Sequence, residues 1–319
     1  MKDSIFINSD YARHSKVWVI VATHKSFDMP TDKMYIPLHV GAEGKVDADG
    51  NPIDLGYQKD NTGDNISDRN AQFCELTGLY WAWKNLSSDY KGLVHYRRYF
   101  KGIGKKHSVR TSKEEAENSK GVTSRFDEVL TYKQLRPLLG KYSVIVPKKR
   151  HYYIETLEQH YAHNHYIKEL DTAKEIMLEK YPEYREAYDR AIGRTWGYMF
   201  NMMILRSDLM DEYCTWLFDI LFELSDRLGG SEEVDVTDGT KSGDGLNHKT
   251  LTAFENRFPG RVSERIFNVW LEYQLSTGHI SKDDIYEIPF MYMEKINILS
   301  KGITFLRAKF TGKKPQKSF

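Results

Sequence analysis

The chain has 319 residues, with 46 Lys and Arg against 45 Asp and Glu, a formal net charge of +1, and 40% hydrophobic residues. This composition suits a soluble globular protein of one large or two small domains, and a charge near zero argues against a nucleic-acid-binding module. Cys74 and Cys214 stand far apart without CxxC spacing, which argues against a disulfide framework or a zinc site, and no stretch approaches the ~20 apolar residues of a membrane span, so any membrane contact is expected to be peripheral.

At the amino end, Asp3 and a short apolar stretch break the pattern of a secretory leader, which suits a cytoplasmic protein. Residues 16–24, KVWVIVATH, form an apolar run closed by polar residues, the reading of a central strand in a parallel sheet. Thr23, His24 and Lys25 fall at its carboxyl end, where open α/β sheets bind ligands. Lys25 also reads as an ordinary solvated lysine. Residues 34–42 make a second strand, at an edge or irregular, because Pro37 cannot donate to a ladder. Residues 43–63, rich in Gly, Asp and Asn, read as a surface loop with a turn at Asp49-Gly50.

A helix is expected over 69–85, with Ser67 as its N-cap and Asp68 matching its dipole. Phe73, Leu76, Tyr80 and Trp83 recur at helical spacing and form one buried face. Asp64, Asn65, Ser67 and Asn70 place more carboxylate, amide and hydroxyl groups before this helix than a cap needs. That density suits hydrogen bonding to a sugar, a ribose or a base. Glu75 could pair with Arg97 or Arg98.

Residues 89–100, DYKGLVHYRRYF, are the centre of the chain. Gly92-Leu93-Val94 reads as a buried strand. Continued through Arg98, the alternation would put His95 and Arg97 on one face and Tyr96 and Arg98 on the other. Adjacent guanidinium groups at the end of a buried strand need anionic partners. They mark either a phosphate-binding strand end or structural arginines held by Asp and Glu.

Residues 101–129, dominated by Lys, Glu, Ser and Gly, read as a mobile insertion, either a lid or a plain surface loop. Thr131 caps a short helix ending near Gly140, and residues 142–147 form another strand. The stretch 153–194 is helical and polar. His160 and His163 share a helical face there, but no HExxH pattern accompanies them and no metal site is expected. Residues 196–205 read as an apolar strand carrying Asn201, whose buried amide must find partners, a substrate among them; Met199, Met202 and Met203 read as core filling. An amphipathic helix follows over 209–227, then a Gly- and Asp-rich loop over 231–247. A helix to 274 opens at Pro259-Gly260, with Ser263 and Glu264 near its start. Residues 285–293 are a last strand interrupted by Pro289. The tail 307–317 is basic, a solvated tail or a membrane-surface contact.

Several of these blocks occur in an order that resembles a bacterial family of capsular and exopolysaccharide biosynthesis loci, long catalogued as a domain of unknown function. They are VIVATHK (19–25), GDNIS (63–67) with Asn70, ELTGLYWAWKN (75–85), HYRRYF (95–100), the segment around Asn201, and Ser263-Glu264-Arg265. The resemblance spans roughly 17–290, and the YWAWKN and HYRRYF blocks are its specific part. It implies a glycosyltransferase with a GT-A-like (Rossmann-like) α/β fold: a mixed, mostly parallel central sheet flanked by helices, with a helical C-terminal part. Residues 1–150 would be the nucleotide-sugar-binding part, 151–295 the acceptor side of the same fold, and 296–319 a basic tail.

Enzymes of that fold usually hold a divalent metal on the donor diphosphate through a DxD motif. Here the corresponding strand ends in His95-Tyr96-Arg97-Arg98, and Asp235-Val236-Thr237-Asp238 has the wrong spacing. This departure from the family's pattern points to a metal-independent enzyme in which His95, Arg97 and Arg98 stabilise the leaving diphosphate, with Mn or Mg not excluded. Thr23, His24, Lys25, Asp64, Asn65 and Asn70 become donor contacts and Asn201 an acceptor contact. Glu264 is the first candidate base and His163 the second. The implied reaction moves a hexose, galactose in pyranose or furanose form, from a UDP-sugar to a lipid-linked oligosaccharide at the cytoplasmic face of the membrane. The rival readings are a non-catalytic nucleotide- or carbohydrate-binding regulator of capsule assembly and a sugar-phosphate transferase.

Overall fold

The computed structural model describes residues 16–104, 123–229, 234–235, 248–249 and 255–294. The expectations for the amino end, for most of the insertion after the arginine cluster, for most of the loop 231–247 and for the basic tail lie outside the described residues.

Strand β1 (Val17–Thr23) is buried at all its positions, which is why it reads as an unbroken apolar run. Its alternating side chains feed two cores. Trp18, Ile20 and Ala22 join the helical layer with Phe73, Leu79, Leu217 and Val262. Val17, Val19 and Val21 face the opposite core, with Tyr96, Tyr99, Leu135 and Ile145.

β1 pairs in parallel with β2 (Tyr35–His39) on one side and with β4 (Tyr90–His95) on the other. The two-residue β3 (Gln58–Lys59) extends β2 in parallel. Beyond β4, the strand β7 (Met203–Arg206) runs antiparallel to both β4 and β6 (Val144–Pro147). β8 (Ile285–Ile288) closes that side in parallel with β6. The order is β3-β2-β1-β4-β7-β6-β8, with β5 (Arg98–Phe100) folded back on β4 and β9 (Phe290–Tyr292) on β5. The sheet is therefore mixed and mostly parallel. Gly92 permits the close β4–β7 contact, since a Cβ there would lie 2.8 Å from the Met203 carbonyl oxygen and 2.7 Å from Ile204 Cγ1.

The helices are α1 (Asn70–Phe73), α2 (Leu76–Asn85), α3 (Tyr132–Leu135), α4 (Leu157–Asn164), α5 (Ile167–Lys180), α6 (Arg185–Ile192), α7 (Ser207–Gly229) and α8 (Phe258–Ser276). α7 and α8 supply most of the helical core through the apolar faces that their spacing gives them. Among the described residues, no helix is long and apolar enough to cross a membrane.

Three local expectations fail, each at the same edge of the sheet. The single helix over 69–85 is broken at Cys74, which takes φ 50° and ψ −126° between α1 and α2. Ser67 is not its cap, because its hydroxyl is drawn to Asp60 instead. The strand over 196–205 exists only as Trp196–Gly197, paired with Arg150–His151, and as β7. Between them Phe200 and Asn201 adopt φ 75° and 52°, left-handed conformations that a strand cannot hold. Most consequentially, β4 stops at His95. Tyr96 and Arg97 form a two-residue turn, and Arg98 pairs back onto His95.

Candidate active site

Parallel strands align their carboxyl ends on one edge, the place where open α/β sheets bind ligands. Here β1, β2, β4 and β6 end there, and the antiparallel β7 begins there. The start of α8 reaches the same edge, because Asn201 just ahead of β7 donates to the Gly260 carbonyl at 3.1 Å. The start of α2 joins it through Glu75, bonded to Asn201. The side chains gathered on this edge fall into two halves.

One half is cationic. Thr23 shapes the turn after β1: its hydroxyl donates to the Lys25 carbonyl at 2.7 Å and accepts from the Lys25 amide at 3.3 Å. That turn presents His24 and Lys25, both exposed. The Lys25 ammonium lies over the rings of Tyr96 (5.3 Å) and Phe27 (5.8 Å). Arg97, at the tip of the β4–β5 turn, donates through Nε to the Tyr96 hydroxyl at 2.8 Å and faces Glu294 at a loose 3.9 Å. Burial together with the charges of Lys45, Arg97, Lys25 and Arg257 holds the His24 imidazole below its ordinary value. Four cationic side chains thus act on one histidine through their charge, and Lys45 and Arg257 are ones the sequence reading missed. Arg257 immediately precedes α8, which carries Pro259 in its first turn, and that adjacency was the available signal.

The other half holds carboxylates. Glu75, half-buried at the start of α2, accepts a hydrogen bond from Asn201 Nδ2 at 2.9 Å on Oε1. Burial and the neighbouring charge of Glu264 raise the Glu75 carboxyl above its ordinary value, against the Asn201 bond and the Arg98 charge, which lower it. Glu264 lies 3.5 Å from Arg265 Nη1. Tyr152 borders the pair: burial raises its phenol, while Arg265 and Arg150 lower it and Glu264 raises it. Arg98 stacks over Phe200 (4.6 Å) and Tyr292 (5.6 Å) in this half.

His95 sits where the halves meet. Burial and the charges of Arg98, Arg97, His24 and Lys25 depress it to about 3, so it is neutral at physiological pH. That corrects the expectation of His95 as a third cation on the diphosphate. Its Nδ1 accepts from the Arg97 amide at 3.3 Å, which places its proton on Nε2 as a neutral donor.

The paired arginines also part company. The turn at Tyr96-Arg97 sends Arg97 to the cationic half and Arg98 to the carboxylate half, so the expected face assignment does not hold.

Other sequence-derived candidates are placed elsewhere. Asp64 and Asn65 lie against the far end of α2: the Asp64 amide donates to Asn85 Oδ1 at 3.1 Å, Tyr80 donates to Asp64 Oδ1 at 3.1 Å, and Asn65 Oδ1 accepts from the Ser67 amide at 3.1 Å. α2 carries ten residues, so Asn85 is about 14 Å along the helix from Leu76, and the structure leaves both residues out of the edge constellation. Asn70 braces the break between α1 and α2, donating to the Cys74 carbonyl at 2.8 Å and to Thr77 Oγ1 at 3.2 Å. Buried Asp60 organises the adjoining turn. That carboxylate accepts from the amides of Gly41 (2.7 Å) and Ala42 (3.0 Å) and from the hydroxyls of Ser67 and Thr77.

Asn201 spends its whole amide inside the protein, donating to Glu75 and the Gly260 carbonyl and accepting from Ser263 Oγ at 2.9 Å. Its amide is thus bonded to Glu75 and to the start of α8. His163 pairs through Nδ1 with buried Glu155 at 2.9 Å; among the described residues no contact joins it to Glu75 or Glu264. His160 is edge-on to Tyr152 at 4.0 Å and is depressed to about 3 by burial, Arg265 and Arg150. Among the described residues no three His, Cys, Asp or Glu side chains are grouped to hold a metal ion.

The chain is similar to a solved structure of WbbM, a bifunctional glycosyltransferase in its apo state, with a TM-score of 0.68 and 26% identity. The similarity covers 88% of this chain and 46% of that one, so the chain spans about half of WbbM's length. The mixed sheet with flanking helices and a helical C-terminal part is thus a glycosyltransferase-type Rossmann-like fold. A comparison with curated proteins gives no match. A family model matches residues 18–239, and on that match the chain belongs to the family described as Domain of unknown function (DUF4422).

Proposed function

We propose that the chain is a glycosyltransferase that moves a hexose from a UDP-sugar to a lipid-linked oligosaccharide in capsule or exopolysaccharide synthesis, with galactose as the sugar. One observation carries the reading: cations suited to a diphosphate and a proton-accepting carboxylate pair meet at a single strand edge, with neutral His95 between them. Membership in the family and the likeness to WbbM support the same reading.

In this mechanism Lys25, Arg97, Lys45 and Arg257 receive the diphosphate, and Arg98 and the Nε2–H of His95 complete its surroundings. As the bond from the anomeric carbon to the diphosphate breaks, the leaving group keeps the electron pair. Fixed cations at the strand edge stabilise that growing charge. The acceptor hydroxyl attacks the anomeric carbon, and its proton passes to Glu75 Oε2. A carboxyl raised above its ordinary value is a better base near neutral pH than an ordinary one. Glu264 sustains that shift through its charge, and Asn201 fixes the carboxylate. The base is therefore Glu75 backed by Glu264, ahead of Glu264 alone or His163. No step requires a divalent metal.

Screening nucleotide sugars for thermal stabilisation, then assaying the best for nucleoside diphosphate release, tests the reading. Transfer in excess chelator is the expected result. Binding without release would favour a regulator, phosphate retained in the product a sugar-phosphate transferase, and activity lost to chelator and restored by manganese would overturn metal independence.

A further inference from the structure

Beyond β6 the chain runs Lys148-Lys149-Arg150-His151-Tyr152-Tyr153-Ile154, and no acidic residue occurs anywhere in 143–154. Tyr153 is 84% exposed and Ile154 70% exposed; Val46 is the other exposed large hydrophobic among the described residues. We propose that this segment docks the protein on an anionic lipid bilayer, with Tyr153 and Ile154 entering the interface and the flanking cations meeting headgroup phosphates.

The exposure is built rather than slack. Tyr152 is turned inward onto His160, and its amide is held by the Thr195 carbonyl at 2.8 Å. Tyr153 then takes φ 59°, a left-handed conformation that non-glycine residues rarely adopt. Next, Glu155 returns to a buried position against His163. Two apolar side chains are thus displayed on a tip anchored on both sides.

The surroundings are predominantly cationic. Lys148, Arg150 and His151 are exposed. Lys149 lies over the Trp196 ring at 4.4 Å and is bonded to Glu287 at 3.0 Å, an acidic neighbour of the patch. An apolar and aromatic tip rimmed by cations is complementary to an anionic leaflet: the ring and the aliphatic chain partition into the interface while lysine and arginine stay at headgroup level. A sugar platform would use Tyr153 but leaves Ile154 without a role.

Arg150 and Tyr152 border the carboxylate half, so docking here would bring that half to the membrane, where a lipid-borne acceptor resides. The point about the acceptor rests on the glycosyltransferase reading; the bilayer contact does not.

Flotation of the full chain with vesicles decides the matter. The protein is expected to float with phosphatidylcholine vesicles containing a third phosphatidylglycerol, less with pure phosphatidylcholine, and less at high salt. The double variant Tyr153→Ser, Ile154→Ser is expected to weaken partitioning at least about tenfold, and Lys148→Glu about fivefold or more. A dye attached to an Ile154→Cys variant should shift to the blue on the mixed vesicles. Loop variants that float like the wild type, as they would if the tail carried the binding, overturn the proposal. So does a wild type that floats with no vesicle, or a tip that serves only self-association. Diphosphate release with a water-soluble acceptor analogue, measured on the same variants, separates the two ideas. Vesicle binding without any turnover would sink the enzyme reading alone, and turnover without vesicle binding would sink the docking alone.

Discussion

Asn201 is expected to lower the proton affinity of Glu75, and the effect of removing it can be sized. Its Nδ2 donates to Glu75 Oε1 at 2.9 Å, a bond that favours the ionised carboxylate against burial and the Glu264 charge. A hydrogen bond to an ionised acceptor is worth about 1.5–3 kcal/mol, which corresponds to a shift of about 1–2 in the carboxyl pKa. Asn201→Gly removes the donor while keeping the left-handed backbone at low cost, since glycine adopts φ 52° readily. A base works only when deprotonated, so raising its pKa moves the acid limb of the kcat/KM profile to higher pH. The expected displacement is about 1–2 pH units, with the alkaline plateau preserved within a few fold. The limb can be followed by diphosphate release, and independently by NMR titration of carbonyl-labelled glutamate, with Glu75→Gln identifying the resonance. An unmoved acid limb in a variant that melts like a folded protein would show that Asn201 does not tune this carboxylate.

Glu75→Gln should also stabilise the fold. The carboxyl is raised in the folded chain, so its stabilising contribution is complete below the unfolded value and is lost as pH rises through the folded value. Urea unfolding should find the variant more stable at neutral and alkaline pH, with the gap closing in acid; a gap that widens in acid would reverse the sign. Asp60→Ala strands four buried donors and is expected to cost about 3–5 kcal/mol in denaturant unfolding, less than four separate losses because the loop can relax. A cost under about 1 kcal/mol would mean the carboxylate does not organise the loop. Gly92→Ala drives a methyl into β7 and should cost about 1–3 kcal/mol; an unchanged melting temperature would contradict the close contact. Lys25→Gln and Arg97→Gln should each raise the donor Kd about tenfold, a loss of about 1.4 kcal/mol, and flatten its salt dependence. Equal affinities in calorimetry would remove those cations from the diphosphate.

The sheet was legible because burial on both faces leaves a direct trace in the chain, an unbroken apolar run. β1, β6 and the apolar half of β4 all carried it, and the helical periods of α7 and α8 were as plain. The edge was less legible, because it is made where regular structure stops. Arg97 and Arg98 look like one paired feature in sequence, yet the turn at Tyr96-Arg97 separates them. His95 looks like a cation beside them, and those same arginines, with burial, keep it neutral. Asn201 sits in an apolar run that reads as a strand, while its left-handed backbone turns the amide onto Glu75. The polar density at 64–70 was visible, but Asp60, the buried carboxylate that draws in Ser67, is a single residue in a stretch that reads as loop. Lys45 and Arg257 reach the site from distant parts of the chain, and no local pattern joins them to Lys25.

The central claim is that a proton leaves the acceptor for Glu75 while cations beyond the strands hold the departing diphosphate. Single-turnover transfer by Glu75→Gln, with excess chelator present and donor binding measured alongside, addresses it most directly. Unchanged donor affinity with turnover reduced about 10²–10⁴-fold is the expected result; wild-type turnover in that variant would contradict it.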